Sequence, residues 1–119
     1  MRQVAGYLSS YTDARVVMAK LQIPDKGVED IMLKRPINDW LAKTKRRGIV
    51  CTTVGHIYSE YKDAEGVFLI THVRRYRQSQ TVEPLVEADR DRYTKKWLIE
   101  EGGAKEDGLQ WMTFPDETN

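Results

Sequence analysis

Four cations near the middle of the chain are the residues best suited to do chemistry. They occupy the segment KTKRRG, which contains no acid: Lys43, Lys45, Arg46 and Arg47. Ammonium and guanidinium groups at this density can neutralise several phosphates. The alternative is a favourable interaction with the C-terminus of a helix, where each cation contributes only about 0.3–1 kcal/mol. Because four cations exceed that need, the segment favours a polyanionic partner.

A second group combines rings with cations at the end of an apolar segment, GVFLITHVRRYRQ, residues 66–78. If residues 62–65 form a hairpin loop with Tyr61 opposite Gly66, alternate residues share a face. That face carries Phe68, His72, Arg74 and Tyr76. Single-stranded nucleic acid can stack on such rings and be neutralised by such cations, although a dimer contact or a solvated strand end would use the same residues. Lys62, at the loop tip, is a further candidate phosphate contact or serves solubility alone.

The sequence contains no arrangement typical of catalysis. In the hairpin register above, His56 and His72 lie on opposite faces and cannot easily form an acid/base pair. Cys51 shares a face with His72 but lies about two residue pairs away from it, too far for activation of a thiol. We therefore predict no catalytic residues, no metal site, no cofactor and no enzyme activity.

Composition limits the class of protein. The chain has 119 residues, 40% hydrophobic and 31% charged, which suits one domain over residues 1–119. No apolar run approaches the roughly 18 residues of a membrane span, and the N-terminal apolar stretch is too short for a secretory signal. One cysteine and two histidines cannot form an internal disulfide or a structural zinc site. These features predict a cytoplasmic protein with no membrane association.

The charges are unevenly distributed along the chain. The net charge is +1, but residues 1–99 contain 18 Lys or Arg and 12 Asp or Glu, whereas residues 100–119 contain one Lys and six acids. A basic body with an acidic tail suits a polyanionic partner, although solubility alone would also explain it.

The first half of the chain must supply the elements that position the KTKRRG segment. Residues 3–10 and 15–23 are rich in β-forming residues and suggest an N-terminal hairpin whose first arm is weak. Helical spacing over residues 26–48 predicts a helix that is kinked or broken at Arg35–Pro36, with the proline suited to a first turn.

In the second half, residues 49–61 and 66–76 are β-branched and aromatic runs that predict the hairpin. A second helix is predicted over residues 82–103, followed by an edge strand over residues 109–115. The second helix has a predicted apolar face and a predicted exposed ion pair of Asp91 with Lys95. The apolar face comprises Val82, Val86, Tyr93 and Trp97. Trp40 and Trp97 are assigned to the core and not to base stacking.

The fold class follows from the order of these elements. With the first weak strand left out, the order is β-α-β-β-α-β, which predicts an α+β fold of the ferredoxin-like or RNA-recognition-like kind. Two helices would cover one face of an antiparallel sheet, and the other face would be open. Residues 3–10 would then be an extra N-terminal strand.

The hairpin and second helix together resemble the RegA translational repressors of T-even-type bacteriophages. Between Arg46 and Gly103, the family pattern is matched by His56-Ile57, Lys62, Gly66, Ile70, His72, Arg74, Asp89, Arg90, Arg92 and Trp97-Leu98-Ile99-Glu100. The segment RRGI, residues 46–49, resembles the end of the family's first helix. The resemblance implies an RNA-recognition-like fold and repression of phage messages by occupation of their ribosome-binding region.

These features favour a non-enzymatic RNA-binding translational repressor that recognises single-stranded messenger RNA. Two alternatives are a dimeric ferredoxin-like small-molecule binder or cofactor-free enzyme, and a phage-encoded inhibitor of a host protein. The choice between monomer and homodimer is open. An enclosed apolar pocket would favour the small-molecule binder, whereas an open basic surface joining the first helix to the hairpin would favour the repressor.

Overall fold

The computed structural model describes residues 2–54, 65–75 and 83–116. The helices and strands are β1 (Arg2–Ser9), α1 (Tyr11–Lys20), α2 (Lys34–Lys43), β2 (Val50–Val54), β3 (Gly66–Arg75), α3 (Asp89–Glu100) and β4 (Gln110–Asp116). Short 3₁₀ helices at Asp30–Met32 and Glu106–Gly108 precede α2 and β4. None of the helices in the described ranges is long and apolar enough to cross a membrane.

The four strands form one antiparallel sheet in the order β2-β3-β1-β4. The predicted class, an α+β fold with an antiparallel sheet, is confirmed, and the order of elements is compatible with a ferredoxin-like arrangement. Three helices, one more than predicted, contribute to the core on one face of the sheet. The core residues on that face include Tyr7, Ala14, Met18, Ile37, Leu41, Val67, Leu69, Trp97 and Leu98.

The predicted N-terminal hairpin is wrong. β1 is a central strand, paired with both β3 and β4, and the second arm of the predicted hairpin is largely the helix α1. Ser10 caps this helix, because its side-chain oxygen accepts a hydrogen bond of 3.1 Å from the Asp13 N–H. Ala14 and Met18, four residues apart, are buried on one side of it. Capping and burial together outweigh the β-branched residues that suggested a strand.

The predicted helix over residues 26–48 is shorter than its pattern suggested. α2 follows a 3₁₀ helix, and Pro36 lies in its first turn, where an N–H is not needed for an intrahelical bond. The C-cap of α2 is Thr44, so the helix ends before Gly48. The break expected at Arg35–Pro36 is the beginning of a new helix.

β2 and β3 pair in a different register from the one predicted. Val54 lies opposite Gly66, which begins β3 as expected. A register with Tyr61 opposite Gly66 places Cys51 opposite Tyr76, but Cys51 faces Leu69 instead. The predicted pairs that involve residues 55–64 and 76–82 lie outside the described residues.

A β-bulge in β3 changes which face its side chains occupy. Gly6 of β1 lies opposite Ile70, whereas the neighbouring Ala5 lies opposite His72. Thr71 is therefore an extra residue in β3, and side chains beyond it alternate out of phase with those before it. Gly6 suits this position, because a Cβ there would collide with a backbone carbonyl of β3. The alternation predicted along the whole of β3 is interrupted here.

The face of the sheet away from the helices is not exposed as predicted. Five apolar side chains are buried on it: Val4, Leu8, Val54, Phe68 and Phe114. The rings of Phe68 and Phe114 meet edge to face, with centroids 4.9 Å apart. An open stacking platform is absent at this position, because apolar side chains are buried on both faces of the sheet.

Candidate nucleic-acid interface

An open cleft of about 700 Å³ lies between the end of α2 and one side of α3. Its described lining contains four cations and no acid, and it also includes Thr71, Tyr93, Thr94 and Trp97. The cations are Lys45, Arg46, Arg47 and Arg90. The cleft thus brings together three of the predicted RNA-binding residues, Lys45, Arg46 and Arg47. It adds Tyr93 and Arg90, the second of which is among the residues that resemble the RegA family.

The turn that ends α2 presents its basic residues to the cleft. The Lys45 N–H donates to the Ala42 carbonyl at 3.1 Å, and the Arg46 N–H donates to the Leu41 carbonyl at 3.0 Å, which is a Schellman motif. The left-handed position of this motif is usually glycine, but here it is Lys45, with a φ of +58°. A side chain in this conformation costs about 1–2 kcal/mol. The chain therefore has a cation where glycine would be more stable.

Arg46 holds this turn against α3. Its guanidinium lies over the rings of Trp40 and Trp97, 4.7 and 4.4 Å from their centroids. Its Nη2 donates to both carboxylate oxygens of Glu101, at 3.0 and 3.2 Å. Stacking combined with a carboxylate pair suits the planar guanidinium and not an ammonium. Arg46, predicted as a phosphate ligand, is largely engaged within the protein and positions the residues on either side of it.

Three other cations of the cleft are available to an anion. Lys45, Arg47 and Arg90 are exposed, and none of them makes an ion pair with another described residue. Since the charge of Arg46 is compensated by Glu101, these three define the net positive charge of the cleft. A groove with uncompensated charge of one sign attracts ligands of the opposite sign.

The predicted apolar face of the second helix is partly wrong. α3 begins at Asp89, so Val86 precedes the helix and is 79% exposed, and Val82 lies outside the described residues. The buried side of α3 consists of Asp91, Thr94, Trp97 and Leu98. Tyr93 is consequently 70% exposed, at the lining of the cleft. Trp97 is a core residue, as predicted, and Trp40 packs against the same cluster.

Asp91 is fully buried, although the sequence pattern placed it on the exposed side of the helix. Its carboxylate accepts hydrogen bonds from the Thr71 hydroxyl at 2.6 Å and from the Ala88 N–H at 2.8 Å. Its Oδ2 also lies 3.6 Å from Nδ1 of His72. Lys95, its predicted partner, pairs with another acid. Asp91 therefore ties the start of α3, which lines the cleft, to the bulge in β3.

The remaining predicted RNA-binding residues do not line the cleft. Lys43 is exposed in the last turn of α2, and Arg74 is exposed near the end of β3. His72 lies on the helix side of the sheet beside Asp91, because the bulge separates it from the face predicted for it. Lys62 and Tyr76 lie outside the described residues.

Phe68 cannot stack on a base as predicted. Its side chain is 1% exposed and is buried on the face of the sheet away from the helices. A base needs an open ring face, which a buried side chain does not offer. The described ring that meets this requirement at the cleft is Tyr93.

The burial of Cys51 determines its chemistry. Desolvation raises the pKa of the Cys51 thiol to about 12. A thiol with this pKa is protonated at neutral pH and is a poor nucleophile. Among the described residues, no group of three or more His, Cys, Asp or Glu side chains is arranged to hold a metal ion.

No protein-family model, curated protein or solved structure matches the chain significantly. The resemblance to the RegA family therefore stays a prediction from the residues. Six of the residues that carry it line the cleft: Arg46, Arg47, Gly48, Ile49, Arg90 and Trp97.

Proposed function

We propose that this protein binds single-stranded RNA in the cleft between α2 and α3 and represses translation. The observation that supports RNA binding best is the charge of the cleft, where Lys45, Arg47 and Arg90 are exposed and the described lining contains no acid. Grooves of this character follow the phosphates of single strands. Occupation of the ribosome-binding region of target messages is the part of the proposal that rests on the resemblance to RegA repressors.

The shape of the interior disfavours a small-molecule binder. The apolar cavity beneath the helices, lined by Tyr7, Met18 and Trp97 among others, has a volume of only about 40 Å³. Pockets for small molecules and cofactors measure about 300–1,000 Å³ and are lined mainly by apolar side chains. The apolar cavity accommodates little more than a water molecule. The cleft beside α3 is large enough, but its described lining is mainly polar and charged.

An acidic protein surface is the alternative partner, and it would correspond to inhibition of a host protein. The same three cations would satisfy carboxylates as well as phosphates. RNA is favoured because an exposed ring, Tyr93, lines the same cleft as these cations. Carboxylate groups need no ring, whereas unpaired bases stack on one.

Cross-linking in expressing cells tests the biological role. RNA and protein that co-purify with the chain after ultraviolet cross-linking would be identified by sequencing and by mass spectrometry. We expect enrichment of the start regions of a small set of messages. Stoichiometric recovery of one acidic protein, without enrichment of RNA, would contradict the proposal and support the host-protein alternative.

A salt titration with purified protein tests the site. With three phosphates neutralised, the slope of log affinity against log salt should be about −2, since each contact to a single strand contributes about −0.7. The double variant Lys45→Ala, Arg47→Ala should bind more weakly with a slope of about −0.7. The matched control removes two exposed lysines that do not line the cleft, Lys20 and Lys26, and should behave like the wild type. Equal losses in both double variants would refute the placement of the site.

A further inference from the structure

Tyr93 is a large aromatic side chain at an exposed position, where smaller or more polar side chains are more common. It is 70% exposed and lines the cleft. The other large hydrophobic side chains exposed among the described residues are aliphatic, for example Val16 and Ile31. An exposed ring is thus found beside the cations of the proposed site.

The neighbours of Tyr93 on α3 suit a nucleotide. Arg90 is three residues before it and Trp97 four residues after it, so all three lie along one side of the helix. Arg90 is exposed, and Trp97 is covered by the guanidinium of Arg46 at 4.4 Å. A ring with a cation about one turn away can hold a base while the cation holds its phosphate.

The ring of Tyr93 lies on α3, a helix whose position relative to the sheet is fixed by buried contacts. Asp91 anchors the start of α3 to β3 through Thr71, and Thr94 and Trp97 are buried against the sheet. Side chains on a rigid element keep their position relative to the rest of the site better than side chains on loops. A base that stacks on Tyr93 therefore has a defined distance from the cations on α2's terminal turn.

We infer that Tyr93 stacks on an unpaired base and makes the cleft selective for single-stranded over duplex RNA, an inference that rests on the proposed function. In a duplex, each base is covered on both faces by its neighbours and cannot be reached by a ring without unstacking. The phosphates of a duplex could still meet Lys45, Arg47 and Arg90. The cations supply attraction to any RNA, and the ring distinguishes the unpaired strand.

The test compares the full chain with the variants Tyr93→Ala and Tyr93→Phe, using a labelled 12-nucleotide RNA alone and annealed to its complement. For the single strand, Tyr93→Ala should lower affinity by roughly 5- to 100-fold, with the salt slope unchanged, since the lost interaction is not ionic. Tyr93→Phe keeps the ring and should bind within about twofold of the wild type. Duplex affinity should be the same in all three proteins. The control, Val86→Ala, removes an exposed apolar side chain outside the cleft and should have no effect.

Each contrary result identifies what has failed. If folded Tyr93→Ala binds the single strand as well as the wild type, or loses equal affinity for strand and duplex, the inference is overturned while RNA binding stands. A loss in Tyr93→Phe would assign the contact to the hydroxyl and also overturn stacking. If the wild type binds neither RNA above the level of the Lys45→Ala, Arg47→Ala variant, the proposed function itself is refuted.

Discussion

The side chain of Asn38 bonds to both backbone groups of Cys51. Its Nδ2 donates to the Cys51 carbonyl at 2.9 Å, and its Oδ1 accepts from the Cys51 N–H at 2.7 Å. Cys51 lies in β2, which is at one edge of the four-stranded sheet. The amide on α2 therefore takes the place of a neighbouring strand, and it blocks an edge that could otherwise pair with another chain.

Removal of this amide should destabilise the fold. Asn38→Ala leaves a buried N–H and carbonyl without their partner, which should lower the free energy of unfolding by about 2–3 kcal/mol. The control is Asp39→Ala, the next residue on α2, which is exposed and should change stability by less than about 0.5 kcal/mol. Urea denaturation measures both. Equal stability of the two variants would show that water replaces the amide without loss.

Arg46→Lys tests whether the guanidinium positions the turn or simply adds charge. The variant keeps the charge but loses the planar contacts with Trp40 and Trp97. It also loses the two hydrogen bonds to the Glu101 carboxylate. We expect a loss of about 1–2 kcal/mol in unfolding free energy and a change in tryptophan emission. Arg47→Lys, one residue further on, is exposed and should match the wild type in both measurements. If both variants behave alike, Arg46 is an ordinary surface cation.

The elements were predictable from sequence where local pattern and tertiary context agree. Gly66 begins β3, Pro36 lies in the first turn of α2, and β4 is an edge strand, each in accordance with its pattern. The helix α1 was not predictable, because its β-branched residues favour a strand. It is a helix because of its N-cap and its buried side chains. The bulge at Thr71 depends on the close approach of β1 to β3 at Gly6, which no pattern within β3 contains.

The candidate site was predictable in composition but not in arrangement. The segment KTKRRG marked Lys45 and Arg47 by charge density alone. The cleft exists because α3, more than 40 residues away, lies beside that segment, and this packing could not be inferred from periodicity. The spacing of Tyr93 to Trp97 places it on the predicted apolar face of the helix, but the helix turns Asp91 and Thr94 inward instead. The side of α3 that contains the buried Asp91 carboxylate faces the core, so the side predicted to be buried is partly exposed.

The pH dependence of stability should reveal the burial of Cys51. The ordinary pKa of 9.0 is raised to about 12 by desolvation in the folded state. The contribution of the protonated thiol to the free energy of unfolding is therefore fully present below pH 9. It is lost as the pH rises toward 12, by up to about 1.4 kcal/mol per pH unit. Between pH 8 and 10, the unfolding free energy of the wild type should fall by roughly 1 kcal/mol more than that of Cys51→Ala, in which the tyrosines titrate identically. Parallel curves for the two proteins would contradict the burial of the thiol.

Phe68→Ala separates a packing role from base stacking. Because this ring is 1% exposed and contacts Phe114, its truncation should lower the unfolding free energy by about 3–5 kcal/mol. Phe68→Leu keeps most of the volume, and at temperatures where it is folded it should bind RNA as the wild type does. A Phe68→Ala protein that is as stable as the wild type but binds RNA more weakly would show that this residue contacts RNA.

Gln22 and Lys45 occupy equivalent positions after α1 and α2. Variants of the two residues therefore distinguish an effect on stability from an effect on RNA binding. Both are left-handed, with φ of +58° and +61°, and both follow the same Schellman pattern of hydrogen bonds. Replacement of either by glycine removes the strain of a side chain in this conformation and should raise the unfolding free energy by about 1 kcal/mol.

The two variants should differ only in RNA binding. Lys45→Gly removes one of the three available cations of the cleft, so its salt slope should fall by about 0.7 while its stability rises. Gln22→Gly removes no charge and does not line the cleft, so its affinity should equal that of the wild type. Urea denaturation and a salt titration with single-stranded RNA measure the two quantities on the same preparations. If Lys45→Gly gains stability without any loss of affinity, the side chain has no part in phosphate binding, and its left-handed position remains an uncompensated strain.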